Sequence, residues 1–217
     1  RNILSETVKF SINKNEKSYE TIDTTKGKKD DIRKAVKIIS SAKKPVVIAG
    51  GGIKYTGNYK EVIRLAELIN APIVTAAGHG DAIPFNHKLN AGQMGPRGNP
   101  VASKLTKEAD VIIAIGTRLG FNSTFYTYDN LNKKAKIIQI ELEKKMLGRY
   151  FPISIGICAD ASTTTKQIYN EIKAQKLIFE TNNWTKKYLK ERSIYLNHRD
   201  NQSGLNEFPI HPNGLFK

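Results

Sequence analysis

The sequence predicts an α/β fold: an open parallel sheet of about six strands, flanked by helices, with extended linkers at both ends. Three observations predict it. Short apolar runs of strand length, such as Pro45–Ala49 and Val111–Ile115, alternate with segments of helical periodicity. Neither run alternates with polar residues, as expected of strands that are covered on both faces. The first run ends in three glycines, Gly50–Gly52. Strands that alternate with helices are typical of βαβ units.

The chain has 217 residues, enough for one domain with its own core. Residues 1–29 are polar and lack sustained periodicity, which predicts a linker. Residues 30–176 carry the alternating pattern and are predicted to form the domain. Residues 177–217 are predicted to be a second linker, with an isolated helix at 182–197 around Trp184 and Leu189.

The first helix is predicted to start at Asp30-Asp31, because Ile32, Ala35, Val36 and Ile39 follow with the spacing of one buried face. A strand at 46–49 comes next. The same reasoning predicts a helix at 59–70, strands at 71–75 and 110–115, a helix at 102–108, strands at 136–142 and 153–158, and a closing helix at 162–173. The stretches 76–100 and 121–131 are irregular, and loops of the first one's length are usually functional or carry a short helix.

Composition argues against two kinds of partner, nucleic acids and membranes. The net charge is +15, from 35 basic and 20 acidic residues, yet no basic run is interleaved with aromatic residues as in a nucleic-acid groove. We therefore expect no nucleic-acid partner. No apolar run approaches the roughly 18–20 residues of a membrane span, so no membrane partner is expected either. The single cysteine excludes an internal disulfide, which favours a cytoplasmic location. The absence of an initiating Met suggests a piece of a longer polypeptide.

The glycines after the first strand are the first candidate site. Gly50, Gly51 and Gly52 would let the backbone approach a ligand and direct N–H groups toward phosphate or ribose oxygens. The spacing is not Gly-x-Gly-x-x-Gly, and no ribose-binding acid clearly follows the second strand. A plain turn that needs positive φ is the alternative.

Three charged residues lie at or just after the ends of later strands. Arg118 could pair with a phosphate or carboxylate, or form an ordinary ion pair at a loop mouth. Glu141 and Asp160 could accept hydrogen bonds from ribose hydroxyls or an adenine amino group. Asp160 precedes Ala161-Ser162 and equally suits a helix N-cap.

Catalytic and metal-binding residues are not predicted. His79, His87, His198 and His211 share no ligand spacing with the lone Cys158. Cys158 lies in an apolar strand, which favours a structural thiol over a nucleophile. His79 is the one histidine in a loop that could face a ligand, although a surface histidine is the favoured interpretation.

Four segments resemble the central domain of thiamine-diphosphate-dependent enzymes of the acetolactate synthase group. Ala42–Gly52 resembles the opening "A-x-K-P-V-I-x-x-G-G-G", and Leu65–Thr75 the second unit. Ile83–Gly95 is similar to the loop "P-x-x-H-P-L-x-x-G-x-x-G". Ala109–Arg118 is similar to "A-D-x-x-x-x-x-G-x-R".

The resemblance implies a Rossmann-like, non-catalytic middle domain. Arg1–Leu4 resembles the exit from an upstream pyrimidine-binding domain, and Pro209–Pro212 the entry to a downstream diphosphate-binding domain. Thiamine diphosphate and Mg²⁺ would then be bound outside this chain, which alone would be inactive. The partners would be those two domains, and the parent a homodimer or homotetramer.

Within the group, Gly116–Gly120, Ala135–Glu141 and Ile153–Ala161 are similar to the sulfoacetaldehyde acetyltransferase branch. This implies a parent enzyme that converts sulfoacetaldehyde and phosphate to acetyl phosphate and sulfite. One alternative is the central domain of an acetolactate synthase large subunit that binds FAD. Another is a stand-alone or sirtuin-like dinucleotide-binding module.

Some relatives hold FAD or ADP in this domain. The positions that match their nucleotide-contacting segments are Gly50, Gly51, Gly52, Thr75, Gly92, Gly116, Arg118, Glu141 and Asp160. Lys88 and Ala159 depart from the family pattern, and Leu119-Gly120 replaces an acidic pair of the FAD-binding synthases. These departures argue against FAD.

Overall fold

The computed structural model describes residues 25–55, 57–179 and 183–201. Its helices and strands are, in chain order, α1 (Lys29–Ser40), β1 (Pro45–Ala49), α2 (Gly51–Tyr55), α3 (Tyr59–Leu68), β2 (Ile73–Thr75), β3 (Asn90–Gln93), α4 (Pro100–Glu108), β4 (Val111–Ile115), α5 (Phe121–Thr124), β5 (Lys136–Glu141), β6 (Ile155–Cys158), α6 (Ala161–Ala174) and α7 (Asn183–Asn201). Short 3₁₀ turns lie at Gly80–Ala82 and Lys144–Met146.

The six strands form one sheet in the order β3-β2-β1-β4-β5-β6, and every neighbouring pair is parallel. The predicted open parallel sheet is confirmed. From β1 the chain moves outward to β3 and then returns to place β4 on the other side of β1. The strand order therefore reverses between β1 and β4. Open α/β sheets form a crevice at such a point, beyond the carboxyl ends of the strands.

Both faces of the sheet are covered, which explains the unbroken apolar run of β1. Val47 and Ala49 belong to the hydrophobic core on the α1, α3 and α6 side. Val46 and Ile48 belong to the opposite core, which includes residues of α4 and α7. All five residues of β1 are buried. Alternating polar residues would have placed hydrogen-bonding groups in one of these cores.

The first helix has the predicted buried face. Ile32, Ala35, Val36 and Ile39 are all at most 3% exposed, and all four pack in the same core. The acidic residues that predicted its start lie in its first turn. There, negative charge interacts favourably with the helix dipole.

Strand β3 was not predicted, because Asn90-Ala91-Gly92-Gln93 has no apolar run. Its polar residues are paired locally. The Asn90 amide donates to the Pro84 carbonyl at 3.1 Å, and its Oδ1 accepts from the Gly92 N–H at 2.8 Å. The side chain thus replaces backbone partners where the pairing with β2 shifts register. The short helix α5 was likewise not predicted within the irregular stretch 121–131.

The predicted helix after residue 180 exists as α7, but it is not isolated. The Trp184 indole N–H donates to the Pro45 carbonyl at 3.2 Å, and the Tyr188 hydroxyl donates to the Glu108 carboxylate. Both rings are buried and meet edge to face. α7 therefore contributes to the core beside α4 and β3. The matches predicted at Arg1–Leu4 and Pro209–Pro212 lie outside the described residues.

Cys158 lies in a strand, as predicted. The thiol is exposed, and its Sγ lies 3.3 Å from the Leu142 carbonyl, to which it can donate. Its strand, β6, is one of the two edge strands of the sheet. Ile157 faces the core, so the next side chain points away from it.

Candidate functional site

A crevice of about 630 Å³ lies where the strand order reverses. Its walls come from the segments that follow the carboxyl ends of β1, β2, β4, β5 and β6. Because parallel strands end at the same edge, residues far apart in the sequence meet here. Among the predicted site residues, those that line the crevice are Gly51, Gly52, Gly116, Arg118, Glu141 and Asp160.

The glycines allow two backbone turns to touch at the floor of the crevice. The Gly50 N–H donates to the Ile115 carbonyl, and the Gly52 N–H donates to the Gly116 carbonyl, both at 2.9 Å. A Cβ on Gly50 would lie 2.3 Å from the Gly116 oxygen. These two amides are therefore engaged within the protein rather than free for phosphate. Positive φ occurs at Gly116 (+59°) and at none of Gly50–Gly52.

The three charged candidates differ in their surroundings. The Arg118 guanidinium is exposed, and it makes no hydrogen bond or ion pair within the described part of the chain. Glu141 is half-buried, and its Oε1 accepts from the Leu142 N–H at 2.9 Å. Asp160 is 3% exposed and caps α6, since its Oδ1 accepts from the Thr163 N–H at 2.7 Å. The N-cap interpretation of Asp160 is thus confirmed, and Arg118 is the cation available to a ligand.

Thr75 and Gly92 lie outside the crevice lining, as does Gly50. Thr75 is 1% exposed at the end of β2, and its hydroxyl has no partner among the described residues. Gly92 has φ of +100°, and a Cβ there would lie 2.9 Å from the Asn99 amide nitrogen. The need for a glycine at this position is explained by the close approach of Asn99, which precedes α4, to the Gly92 backbone. The roles of all nine residues as nucleotide contacts stay predictions.

His79 lines the crevice, although the sequence favoured a surface histidine. Its ring lies against α2, so that a Cβ on Gly51 would be 2.7 Å from Cε1. Its Nδ1 is buried without a hydrogen-bond partner among the described residues. Nearby, the Lys54 ammonium pairs with the Asp81 carboxylate at 2.6 Å and lowers the pKa of that carboxyl. The signal in the sequence was a histidine between two glycines, four residues after the end of β2.

An aromatic cluster at the rim of the crevice was also missed. The Phe121 and Tyr126 rings line it, and Tyr126 stacks on Tyr150 with ring centroids 4.4 Å apart. Tyr150 also raises the pKa of the Tyr126 hydroxyl. Phe125 and Tyr126 have φ of +52° and +57°, a conformation that costs about 1–2 kcal/mol per residue. Aromatic residues in an irregular segment after β4 were the available signal.

No group of three or more His, Cys, Asp or Glu residues within the described ranges could hold a metal ion. Of the helices within the same ranges, none is both long and apolar enough to cross a bilayer.

Residues 32–168 match the family model described as "Thiamine pyrophosphate enzyme, central domain". This is more than half of the chain. The chain belongs to the thiamine pyrophosphate enzyme central-domain family. The family resemblance found in the sequence is thereby confirmed.

Sulfoacetaldehyde acetyltransferases and acetolactate synthase large subunits are among the similar proteins. One is sulfoacetaldehyde acetyltransferase of Castellaniella defragrans, 36% identical over 163 residues, which cover 74% of this chain and 27% of that protein. The enzyme of the same name from Roseovarius nubinhibens is 37% identical over 144 residues, or 65% of this chain and 24% of the relative. The acetolactate synthase large subunit of Buchnera aphidicola subsp. Acyrthosiphon pisum is 30% identical over 200 residues, or 89% and 34%. This central-domain chain thus spans about a quarter to a third of the relatives it matches.

Proposed function

We propose that this chain is the non-catalytic central domain of a thiamine-diphosphate-dependent acetyltransferase. The parent enzyme converts sulfoacetaldehyde and phosphate to acetyl phosphate and sulfite. The observation that carries the proposal is the match of residues 32–168 to the central-domain family, together with several relatives named sulfoacetaldehyde acetyltransferase at 35–38% identity. The parent would be a cytoplasmic homodimer or homotetramer.

The packing of the described residues supports a spacer role. The β1 and β4 turns are in direct contact at the crevice floor, where the Gly52 N–H donates to the Gly116 carbonyl at 2.9 Å and Gly50 leaves no room for a Cβ. Thiamine diphosphate would supply the carbanion chemistry when bound to the two flanking domains. Within this chain, Gly50, Gly52 and Gly116 hold the sheet edge in one shape, so that the flanking domains keep a constant separation.

The test is sulfite release by the purified parent protein. We expect release from sulfoacetaldehyde that requires both thiamine diphosphate and inorganic phosphate, with acetyl phosphate as the second product. The 217-residue chain under the same conditions is the matched control and should release none. Sulfite release by this chain alone would contradict the assignment of catalysis to other domains. Absence of release by the parent would contradict the substrate.

An acetolactate synthase large subunit is the second candidate. Among the relatives described above, the alignment that covers most of this chain, 89%, is to such a subunit. The crevice volume lies within the usual range for small-molecule sites, which leaves room for a flavin nucleotide. A yellow parent protein that forms acetolactate from pyruvate and releases no sulfite would establish this candidate and contradict the first.

Nucleotide binding by the crevice can be tested separately. If ADP, FAD or NAD binds, Arg118 is the exposed cation that would meet its phosphates. Titration calorimetry should then show about 10- to 150-fold weaker binding by Arg118→Ala, since charged hydrogen bonds contribute about 1.5–3 kcal/mol. Arg97→Ala is the matched control, because Arg97 is also exposed but lies outside the crevice. Equal losses in both variants would exclude a specific contact.

A further inference from the structure

Residues 25–28, which we call the strap, lie directly before α1 and contact β6 and α6. The Gly27 N–H donates to the Gln167 side-chain oxygen at 2.8 Å. The Gln167 amide nitrogen donates back to the Gly27 carbonyl at 3.1 Å. One glutamine of α6 therefore binds both polar groups of a single backbone residue, as a neighbouring strand would.

The strap is also fitted sterically at this point. Gly27 is buried, although the strap residues on both sides of it are exposed. A Cβ on Gly27 would lie 3.0 Å from Ile157 and 3.1 Å from Ile32, both of which are core residues. The backbone thus lies directly on the core, with β6 on one side and α1 on the other.

The strap is joined to the crevice by one more hydrogen bond. The Asp160 N–H donates to the Thr25 carbonyl at 3.0 Å. Asp160 and Ala161 line the crevice, and the Asp160 carboxylate caps α6. The same residue therefore holds the strap through its backbone and begins α6 through its side chain.

We infer that Gln167 is a positioning residue that fixes the strap, and through the bond between Thr25 and Asp160 fixes the crevice wall at the start of α6. The strap is thereby coupled to the crevice: displacement of the strap loosens the wall at the start of α6, and a ligand that fixes this wall also fixes the strap. Such coupling is reciprocal. The inference stands without the proposed function.

The test is amide hydrogen exchange, measured by NMR on the 217-residue chain as protection factors for Gly27 and Asp160. Gln167→Ala removes both bonds to Gly27, and we expect protection at both amides to fall about tenfold, given typical net hydrogen-bond contributions. Gln175→Ala is the matched control. Gln175 lies just after α6 and is exposed, and its side-chain amide donates to the Glu171 carboxylate.

Gln167→Glu gives a pH-dependent change in amide protection, which a loss of packing alone would not produce. The ionised carboxylate accepts from the Gly27 N–H but turns its second oxygen toward the Gly27 carbonyl. When protonated, that oxygen donates as the amide does. Protection in Gln167→Glu should therefore be low at pH 7 and return toward the wild-type value near pH 4, about where a glutamate protonates. Gln167→Ala should show no such recovery.

The outcomes separate the parts of the inference. Loss of protection at Gly27 without loss at Asp160 would overturn the coupling to the crevice wall. Equal behaviour of Gln167→Glu and Gln167→Ala at both pH values would overturn the two-way hydrogen bonding. The same loss in Gln175→Ala would assign the effect to general loosening of α6. If Gln167→Ala does not fold, judged by circular dichroism, the pH response of Gln167→Glu decides alone.

Discussion

Substitution of Gly50 by alanine tests the contact between the β1 and β4 turns. The added Cβ would lie 2.3 Å from the Gly116 carbonyl oxygen and 2.5 Å from the Thr117 Cβ. An ordinary van der Waals contact is more than an ångström longer. Neither neighbour is the end of a flexible side chain, so the two turns must separate.

The loss in free energy of unfolding can be estimated from the steric overlap and from the hydrogen bonds that this separation weakens. Overpacking of this kind costs about 1–3 kcal/mol. Moving the turns apart also weakens the bonds from Gly50 to Ile115 and from Gly52 to Gly116, each with a net contribution of about 1 kcal/mol. We therefore expect Gly50→Ala to lower the free energy of unfolding by about 3–5 kcal/mol, a large part of the roughly 5–15 kcal/mol typical of a domain.

Urea denaturation followed by tryptophan fluorescence measures this change. The chain has one tryptophan, Trp184, which is buried and hydrogen-bonded to the start of β1. Its emission therefore reports the loss of the strand that Gly50 terminates. The slope of the transition should be unchanged, because the same surface is exposed on unfolding.

Substitutions of two other glycines distinguish steric overlap from backbone strain. A Cβ on Gly120 meets nothing within 4 Å, and φ there is negative, so Gly120→Ala should be neutral or slightly stabilising. Gly78 is equally open but has φ of +81°, so Gly78→Ala should cost only about 1 kcal/mol of backbone strain. If Gly50→Ala is no more destabilised than Gly78→Ala, the steric reasoning is refuted.

Three further predictions concern single side chains. Asp160→Ala should lower the free energy of unfolding by about 1 kcal/mol through loss of the Thr163 cap, whereas Asp160→Asn should largely preserve it; urea midpoints compare them. Burial and the neighbouring Glu108 raise the pKa of Tyr188 above its unfolded value near 10. Its stability contribution is therefore complete below pH 10 and falls above it, and Tyr188→Phe should show a smaller loss of urea midpoint between pH 9 and 11. The exposed Cys158 thiol should react fully with a disulfide reagent in the folded chain, and protection until unfolding would contradict its placement.

The parts of the fold that were predictable are those with a local pattern. The spacing of Ile32 to Ile39 marks a helix face, and the run Val46–Ala49 marks a strand covered on both sides. β3 has no such pattern. Its polar residue Asn90 can lie in a strand because its side-chain amide donates to the carbonyls of Ile83 and Pro84. Tertiary pairing decided that element.

The site was predictable only as an edge of the sheet. Arg118 and Glu141 follow strands, so their convergence was expected from parallel topology. His79 and Tyr126 enter through loops whose course depends on contacts with α2 and Tyr150. The exposure of Cys158 depended on β6 being an edge strand, which the order of strands along the chain does not reveal.

The docking of α7 changes what counts as a complete unit. The family match ends at residue 168, yet Tyr188 is fully enclosed and Trp184 nearly so, twenty residues and sixteen residues further along. A fragment cut at the family boundary would lose α7, with these two rings, and leave a bare apolar surface beside α4 that favours aggregation. Recombinant versions of this domain should therefore extend through Asn201.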